Sequence, residues 1–296
     1  MAKMIKRGDF KSYCKRMLLK LGVDVRSVPP GLPEMCDNYM VALYRKWEGG
    51  RSAFMCELNK CVVFNGFSFA DEGWHPFAEV LQQCREHSKL SYEDTLLRRF
   101  YDVWQPVNAK EALIVSLTRS KALEKYPSYA YVLPWEYISF RDRMTSVRKI
   151  VRRESLSGNP LGHSTEDGFP HHGPVSVKTG IGHLHRCAIV YESVRKEGYL
   201  REKGHLYVTS LKRGRAIRFL VRQGIHRAAA IAALGCTHVP AIPRYGALVD
   251  RDHASNWPQV VNGMWDEQDA KDYFDHLFDF DSRSWALRKL LLHDRR

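Results

Sequence analysis

The sequence lacks the features that would place the chain in a membrane or outside the cell. No apolar run approaches the roughly 20 residues that cross a bilayer. The first ten residues, MAKMIKRGDF, lack the apolar core of a secretory signal peptide. The seven cysteines include no Cys-x-x-Cys pair, so neither a disulfide framework nor a structural zinc site is indicated. We therefore expect a cytoplasmic protein with no transmembrane segment and no metal site.

Negative charge is scarce relative to positive charge. The 296 residues include 46 lysines and arginines against 33 aspartates and glutamates, a formal net charge of +13. This balance indicates an anionic substrate or partner, and it leaves nucleic acid, nucleotide, phosphorylated sugar and lipid headgroup open. A basic amphipathic helix is predicted from Asp9 to Leu21. Packing on the protein's own core is its favoured role, and peripheral contact with a membrane is the alternative.

The pattern of the chain predicts an α+β fold with three regions. Residues 1–140 are predicted to form a mostly helical region of unknown role, which includes a hairpin with strands Ala53–Leu58 and Cys61–Phe64. Residues 141–182 hold a basic helix and a loop rich in glycine, proline and histidine, for which a lid or disorder is expected. Residues 183–296 are predicted to form an α/β domain with C-terminal helices.

The most informative stretch runs from Arg215 to Ile242. Ile217–Arg222 is rich in β-branched and aromatic residues, and an alanine-rich run follows Gly224. Val239–Ile242 again has residues typical of a strand. This order predicts strand, tight turn, short helix and strand. Glycine at the turn lets the backbone reverse without a Cβ clash.

The start of this predicted helix is the candidate phosphate site. The helix begins at Ile225, so its free backbone N–H groups and the positive end of its dipole lie beside Gly224. His226 and Arg227 add a hydrogen-bonding imidazole and a guanidinium fork. These groups together are typical of a site that holds a phosphate.

The same residues resemble a known motif. The element Gly224-Ile225-His226-Arg227-Ala228-Ala229, followed by Gly235 and Val239-Pro240, resembles the second motif of the ParB/sulfiredoxin superfamily, in which a Gly-x-His-Arg or Gly-x-Arg-Arg turn cradles nucleotide phosphates. Ala188–Gly198 and Leu206–Thr209 look like the first helix and strand of that family. Ile225 stands where sulfiredoxin has its reactive cysteine, so thiol-based sulfinic acid reduction is not expected.

The resemblance implies a nucleotide-binding phosphotransferase, because some members of the superfamily are small-molecule kinases with a Gly-x-His-Arg turn. ATP or ADP would be the donor, Mg²⁺ would accompany it, and the acceptor would be an anionic or hydroxyl-bearing small molecule such as a saccharide. The predicted phosphate- or nucleotide-binding residues are Gly224, Ile225, His226, Arg227, Arg222 and Lys178. The predicted catalytic residues are His226, which donates a hydrogen bond or shuttles a proton, and Glu192 and Asp252, candidates to activate the acceptor or hold Mg²⁺.

Two other functions remain open at this point. A ParB-like DNA-binding protein, either CTP-dependent or a nuclease, fits the net charge, although a large region without an evident nucleic-acid motif precedes the family-like domain. A non-catalytic sensor of an anionic ligand would keep the same phosphate site and lack turnover. Trp257 and Tyr245 can stack on a base or a sugar, or can close the core.

Overall fold

The computed structural model describes residues 32–87, 90–156 and 168–292, so the helix predicted from Asp9 to Leu21 lies outside the described residues. The helices in these ranges are α1 (Tyr39–Trp47), α2 (Pro76–Glu86), α3 (Leu96–Val103), α4 (Phe140–Leu156), α5 (Val177–Glu197), α6 (Ile225–Ala233), α7 (Pro258–Val261), α8 (Glu267–Asp279) and α9 (Ser282–Arg288). The strands are β1 (Glu34–Cys36), β2 (Ser52–Glu57), β3 (Cys61–Val62), β4 (Leu206–Arg213), β5 (Ala216–Gln223), β6 (His238–Pro243) and β7 (Val249–Asp250). The predicted α+β class is confirmed.

One mixed sheet organises the described chain. Its strand order is β1-β2-β6-β4-β5-β3, and β7 pairs with β4. Strands β4 and β5 form an antiparallel hairpin whose turn contains Gly214 at φ 57°. The chain then crosses through α6 and returns as β6, which lies parallel to β4. The predicted order of strand, turn, helix and strand between Arg215 and Ile242 is confirmed.

The sheet takes strands from both sides of the predicted boundary near residue 140. Strand β2 pairs antiparallel with β6, where Phe54 lies opposite Ala241, and β3 pairs parallel with β5. The predicted hairpin between residues 53 and 64 is therefore wrong, because β2 and β3 each pair with a distant strand and a short 3₁₀ turn at Leu58–Lys60 joins them. The division into three regions stays a prediction.

Two hydrophobic cores lie on the two faces of this sheet. Successive side chains of a strand point to opposite faces, and in β5 Phe219 and Val221 belong to one core while Leu220 belongs to the other. The first core is covered by α2, α3, α5 and α6, and the second by α8 and the segments around Trp135 and Trp257. Clefts on the two faces therefore have different walls.

The loop predicted to end at Gly182 is shorter in the structure. Ser176 caps α5 by accepting a hydrogen bond from the Thr179 N–H, so helix begins at Val177 and residues 177–182 are helical. Residues 157–167, which hold most of the predicted lid, lie outside the described residues. In the three described ranges, no helix is both long and apolar enough to cross a membrane.

Candidate functional site

The turn between β5 and α6 has the geometry that the sequence predicts. Gly224 adopts φ 88° and ψ 20°, a left-handed conformation that favours glycine, and α6 begins at Ile225. The carbonyl of Gly224 accepts hydrogen bonds from the N–H groups of Arg227 and Ala228, both at 2.9 Å. The first N–H groups of a helix lack acceptors within the helix, so this end of α6 favours an anion.

A cleft of about 600 Å³ opens at this turn. We call it the arginine cleft, and its walls include Arg51, Arg186, Arg201, Glu202, His205, Gly224, His226 and Arg227. Its four arginines come from four segments: the turn before β2, helix α5, the 3₁₀ turn before β4, and helix α6. Because these segments are distant in sequence, the fold itself gathers the positive charge at the amide end of α6.

Arg227 is held in place by its neighbours. Its guanidinium carbon lies 5.8 Å from the centre of the Tyr199 ring, and the Tyr199 hydroxyl donates to the carbonyl of Gly204 at 3.0 Å. A Cβ atom on Gly204 would come within 3.1 Å of Arg227 Nη1, so glycine leaves room for the guanidinium. Burial raises the pKa of Tyr199, and the phenol beneath this cation is therefore neutral. These contacts hold the guanidinium of Arg227 at the wall of the cleft.

His226 enters the cleft as a neutral imidazole. Its ring stacks on Phe77 at 4.8 Å and 10° and lies parallel to the ring of His183 at 6.3 Å. The residue is partly exposed, but its Nε2 is buried and has no hydrogen-bond partner in the described chain. Burial, followed by the proximity of His183 and Arg186, lowers the pKa of His226 well below its usual value. Near neutral pH this side chain can donate or accept a hydrogen bond and carries no charge.

A second neutral imidazole lines the same cleft. His205 precedes β4, and its Nε2 is also buried without a hydrogen-bond partner among the described residues. Burial lowers the pKa of His205 to about 4, and the charges of Arg201 and Arg227 act in the same direction. Each of the two imidazoles therefore keeps a hydrogen-bonding nitrogen that nothing in the described chain uses.

Two predicted phosphate-binding cations lie away from the cleft. Arg222 points to the opposite face of the sheet, where its side chain is 7% exposed and forms an ion pair with Glu136. Lys178 is exposed on the first turn of α5, in a surface groove with Ile181 and His185. Ile225 contributes the first residue of α6, while its side chain packs against the first core. The structure therefore brings together Gly224, His226 and Arg227 from the predicted set.

Neither of the two predicted catalytic carboxylates lines the arginine cleft. Glu192 lies on α5 and pairs with Arg195 at 2.8 Å and with Lys196. Asp252 is exposed in the 3₁₀ turn that follows β7. Among the described residues that line the cleft, Glu202 is the one carboxylate, and it is exposed to solvent.

Five functional candidates were missed from the sequence: Arg51, Arg186, Arg201, Glu202 and His205. The concentration of positive charge between Arg195 and Arg227 was a signal for Arg201, but nothing local distinguishes it from a solvated surface arginine. Arg51 joins the cleft only because β2 pairs with β6, which is a long-range contact. The site is therefore a product of tertiary structure around a locally encoded turn.

The described ranges contain no group of three or more His, Cys, Asp or Glu side chains arranged to hold a metal ion. Comparison with protein-family models, with curated proteins and with solved structures gives no match to this chain.

Proposed function

We propose that the protein binds a nucleoside di- or triphosphate in the arginine cleft and transfers a phosphoryl group to a hydroxyl-bearing small molecule. The observation that carries the proposal is the convergence of four arginines on the amide end of α6. A single phosphate accepts one or two bidentate guanidinium contacts, whereas a chain of two or three phosphates makes use of four. The resemblance to the ParB/sulfiredoxin superfamily implies the same class of ligand.

The residues of the cleft can divide the chemistry among them. Arginines and helix amides offset the charge of the phosphates, and neutral His226 donates a hydrogen bond where charge develops. Glu202 replaces Glu192 and Asp252 as the candidate that accepts the proton of the acceptor hydroxyl, because it lines the cleft. Mg²⁺ would be bound by phosphate oxygens and water, as this ion commonly is in phosphoryl transfer. ATP or ADP is the proposed donor.

Calorimetric titration with ATP, ADP, CTP and GTP, with and without Mg²⁺ and with and without duplex DNA, tests the proposal. We expect adenine nucleotides to bind regardless of DNA, followed by slow release of phosphate in the presence of Mg²⁺. Binding without turnover would support an anion sensor. Binding of CTP only in the presence of DNA, or of DNA with a steep salt dependence, would favour the ParB-like alternative.

Arg227→Ala is expected to weaken ATP or ADP binding by roughly 1.5–3 kcal/mol, about 10- to 100-fold, because one charge-assisted contact is lost. The substitution shortens a partly exposed side chain, so the melting temperature should change little. Arg215→Ala, at the exposed turn between β4 and β5, removes the same charge away from the cleft and serves as the control. Equal nucleotide affinities of the two folded variants would show that the nucleotide does not bind in the arginine cleft.

Glu202→Gln is expected to reduce the rate of phosphate release from ATP about 100- to 10,000-fold, because general-base assistance is lost. Nucleotide affinity should stay within a few fold of the parent, because the arginines that contact the phosphates are unchanged. The control is Glu192→Gln, which removes a carboxylate from the exposed face of α5. Loss of turnover in Glu192→Gln but not in Glu202→Gln would restore the sequence-based assignment and exclude the role given to Glu202.

A further inference from the structure

A second cleft, of about 680 Å³, opens near the ion pair of Arg222 and Glu136 on the other face of the sheet. We call it the aromatic cleft, and its walls include Trp135, Tyr137, Arg143, Arg244, Tyr245 and Trp257. Among the described residues, none that lines this cleft also lines the arginine cleft. Its volume is in the range of small-molecule sites.

The aromatic walls are of two kinds. Trp135 and Trp257 are buried, and their rings meet at 5.3 Å and 74°, which fixes the inner wall. Tyr137 and Tyr245 lie at the rim, where they are 93% and 42% exposed. Exposed tyrosines beside a rigid apolar wall offer contact area to a flat ring at a low cost in side-chain entropy. The cleft therefore suits a planar aromatic ligand.

The carboxylates that line the cleft already have hydrogen-bond or ion-pair partners. Lys212 forms an ion pair with Asp250 at 2.6 Å, and the Ser139 hydroxyl donates a hydrogen bond to Asp142 at 2.7 Å. Arg143 pairs with buried Glu136 through Nη2, yet its Nε is buried without a hydrogen-bond partner in the described chain.

Arg244 adds a cation at the mouth of the cleft. Its guanidinium carbon lies 5.5 Å from the centre of the Tyr245 ring, so charge and ring act on the same region of the cleft. A guanidinium at this distance from an aromatic face can bind a carboxylate while the ring stacks on the rest of the ligand. Arg244 and the aromatic walls therefore favour a ligand that combines a ring with an anionic group.

We infer that the aromatic cleft is a second binding site, and that it takes a small molecule in which a planar aromatic ring carries a carboxylate. The inference depends on the walls and charges of this cleft alone and is independent of nucleotide binding on the other face. The ring lies along Tyr245 and the tryptophan wall, and the carboxylate meets Arg244.

Calorimetric titration of the full chain with 2-naphthoate and 2-naphthamide tests the inference, because the two probes share a ring and differ in charge. We expect 2-naphthoate to bind at least about ten times more tightly than 2-naphthamide, which is the difference made by one charge-assisted contact. Arg244→Gln should abolish that difference, and Tyr245→Ala should weaken both probes. Arg244 is exposed, so the variant should fold as the parent does.

Arg227→Ala is the matched control, because it removes a guanidinium from the arginine cleft and none from the aromatic cleft. We expect it to leave 2-naphthoate affinity unchanged. The inference would be overturned by the absence of 2-naphthoate binding, by equal affinities for the two probes, or by loss of 2-naphthoate binding in Arg227→Ala with none in Arg244→Gln.

Discussion

Lowering the pH from 7 to 5 is expected to reduce the free energy of unfolding by at least about 6 kcal/mol. The lowered pKa values of His205 and His226 act in this direction, and three more deeply buried histidines each contribute about 2 kcal/mol. These residues are His75, His172 and His183, and each is at most 4% exposed. A loss of this size is comparable with the whole stability of an ordinary domain. The protein should therefore unfold in mild acid.

Each imidazole is kept neutral for an identifiable reason. Burial lowers the pKa of His183 to about 3 and that of His172 to about 4, and it places the pKa of His75 well below its usual value. His75 also accepts a hydrogen bond from the N–H of Phe77 through Nδ1, and the lone pair that accepts it would be lost on protonation. That bond caps α2, so protonation would also weaken the start of a core helix.

The sign of the effect follows from which state binds protons. In the unfolded chain a histidine takes up a proton near pH 6.5, whereas these three remain neutral in the folded protein until the pH is far lower. The unfolded state therefore binds more protons below pH 6.5, and stability falls as the pH falls from there toward about 4 for His172 and about 3 for His183. Carboxylates titrate mainly below pH 5, so the interval from 7 to 5 isolates the histidines.

Denaturant titrations at pH 7, 6 and 5, followed by tryptophan fluorescence, measure this loss. His183→Leu should remove about 2 kcal/mol of this loss, because one of the contributing imidazoles is no longer present. His253→Gln removes an exposed histidine and should leave the dependence intact. A free energy of unfolding that stays constant between pH 7 and pH 5 would show that the imidazoles gain protons in the folded state.

The parts of the fold that were predicted from sequence depend on local signals. A glycine at the turn, an alanine-rich run and flanking β-branched segments were sufficient to predict β5, α6 and β6. The prediction of a hairpin between residues 53 and 64 was wrong because two extended segments that are adjacent in sequence suggest that they pair with each other. Their real partners, β6 and β5, lie about 150 residues or more further along the chain.

The residues of the candidate site also fall into those that a local pattern predicts and those that long-range packing brings together. Gly224, His226 and Arg227 lie within one turn, so their convergence follows from local geometry. Glu202 and Arg51 reach the cleft through the packing of other segments, which no local pattern specifies. The orientation of Arg222 had no such signal, because Leu220 and Val221 are both apolar and alternation along β5 places them on opposite faces.

Glu136→Gln is expected to lower the free energy of unfolding by about 3–5 kcal/mol, because it leaves a buried guanidinium without its counter-ion. Arg222 is 7% exposed and Glu136 is 4% exposed. Burial alone would raise the pKa of Glu136, but Arg222 and Arg143 outweigh it and the pKa is lowered, so the carboxylate is ionised in the folded protein. Neutral glutamine keeps the shape of the side chain and removes the charge.

The control is the double variant Glu136→Leu with Arg222→Leu, which removes both charges from the buried pair. We expect it to recover most of the lost stability, since apolar residues of similar size often replace a buried ion pair without net cost. Arg143, which is 16% exposed, can turn toward solvent when its partner is removed. Denaturant titration of the three proteins at pH 7 gives the comparison.

The same double variant decides the role of Arg222. If Arg222 serves only the buried pair, the folded double variant should bind ATP or ADP as the parent does, while Arg227→Ala does not. If Glu136→Gln costs less than about 1 kcal/mol, Arg222 is solvated and not dependent on Glu136. Loss of nucleotide affinity in the double variant would then support the sequence-based prediction that Arg222 binds phosphate. It would also mean that β5 directs this side chain into the arginine cleft.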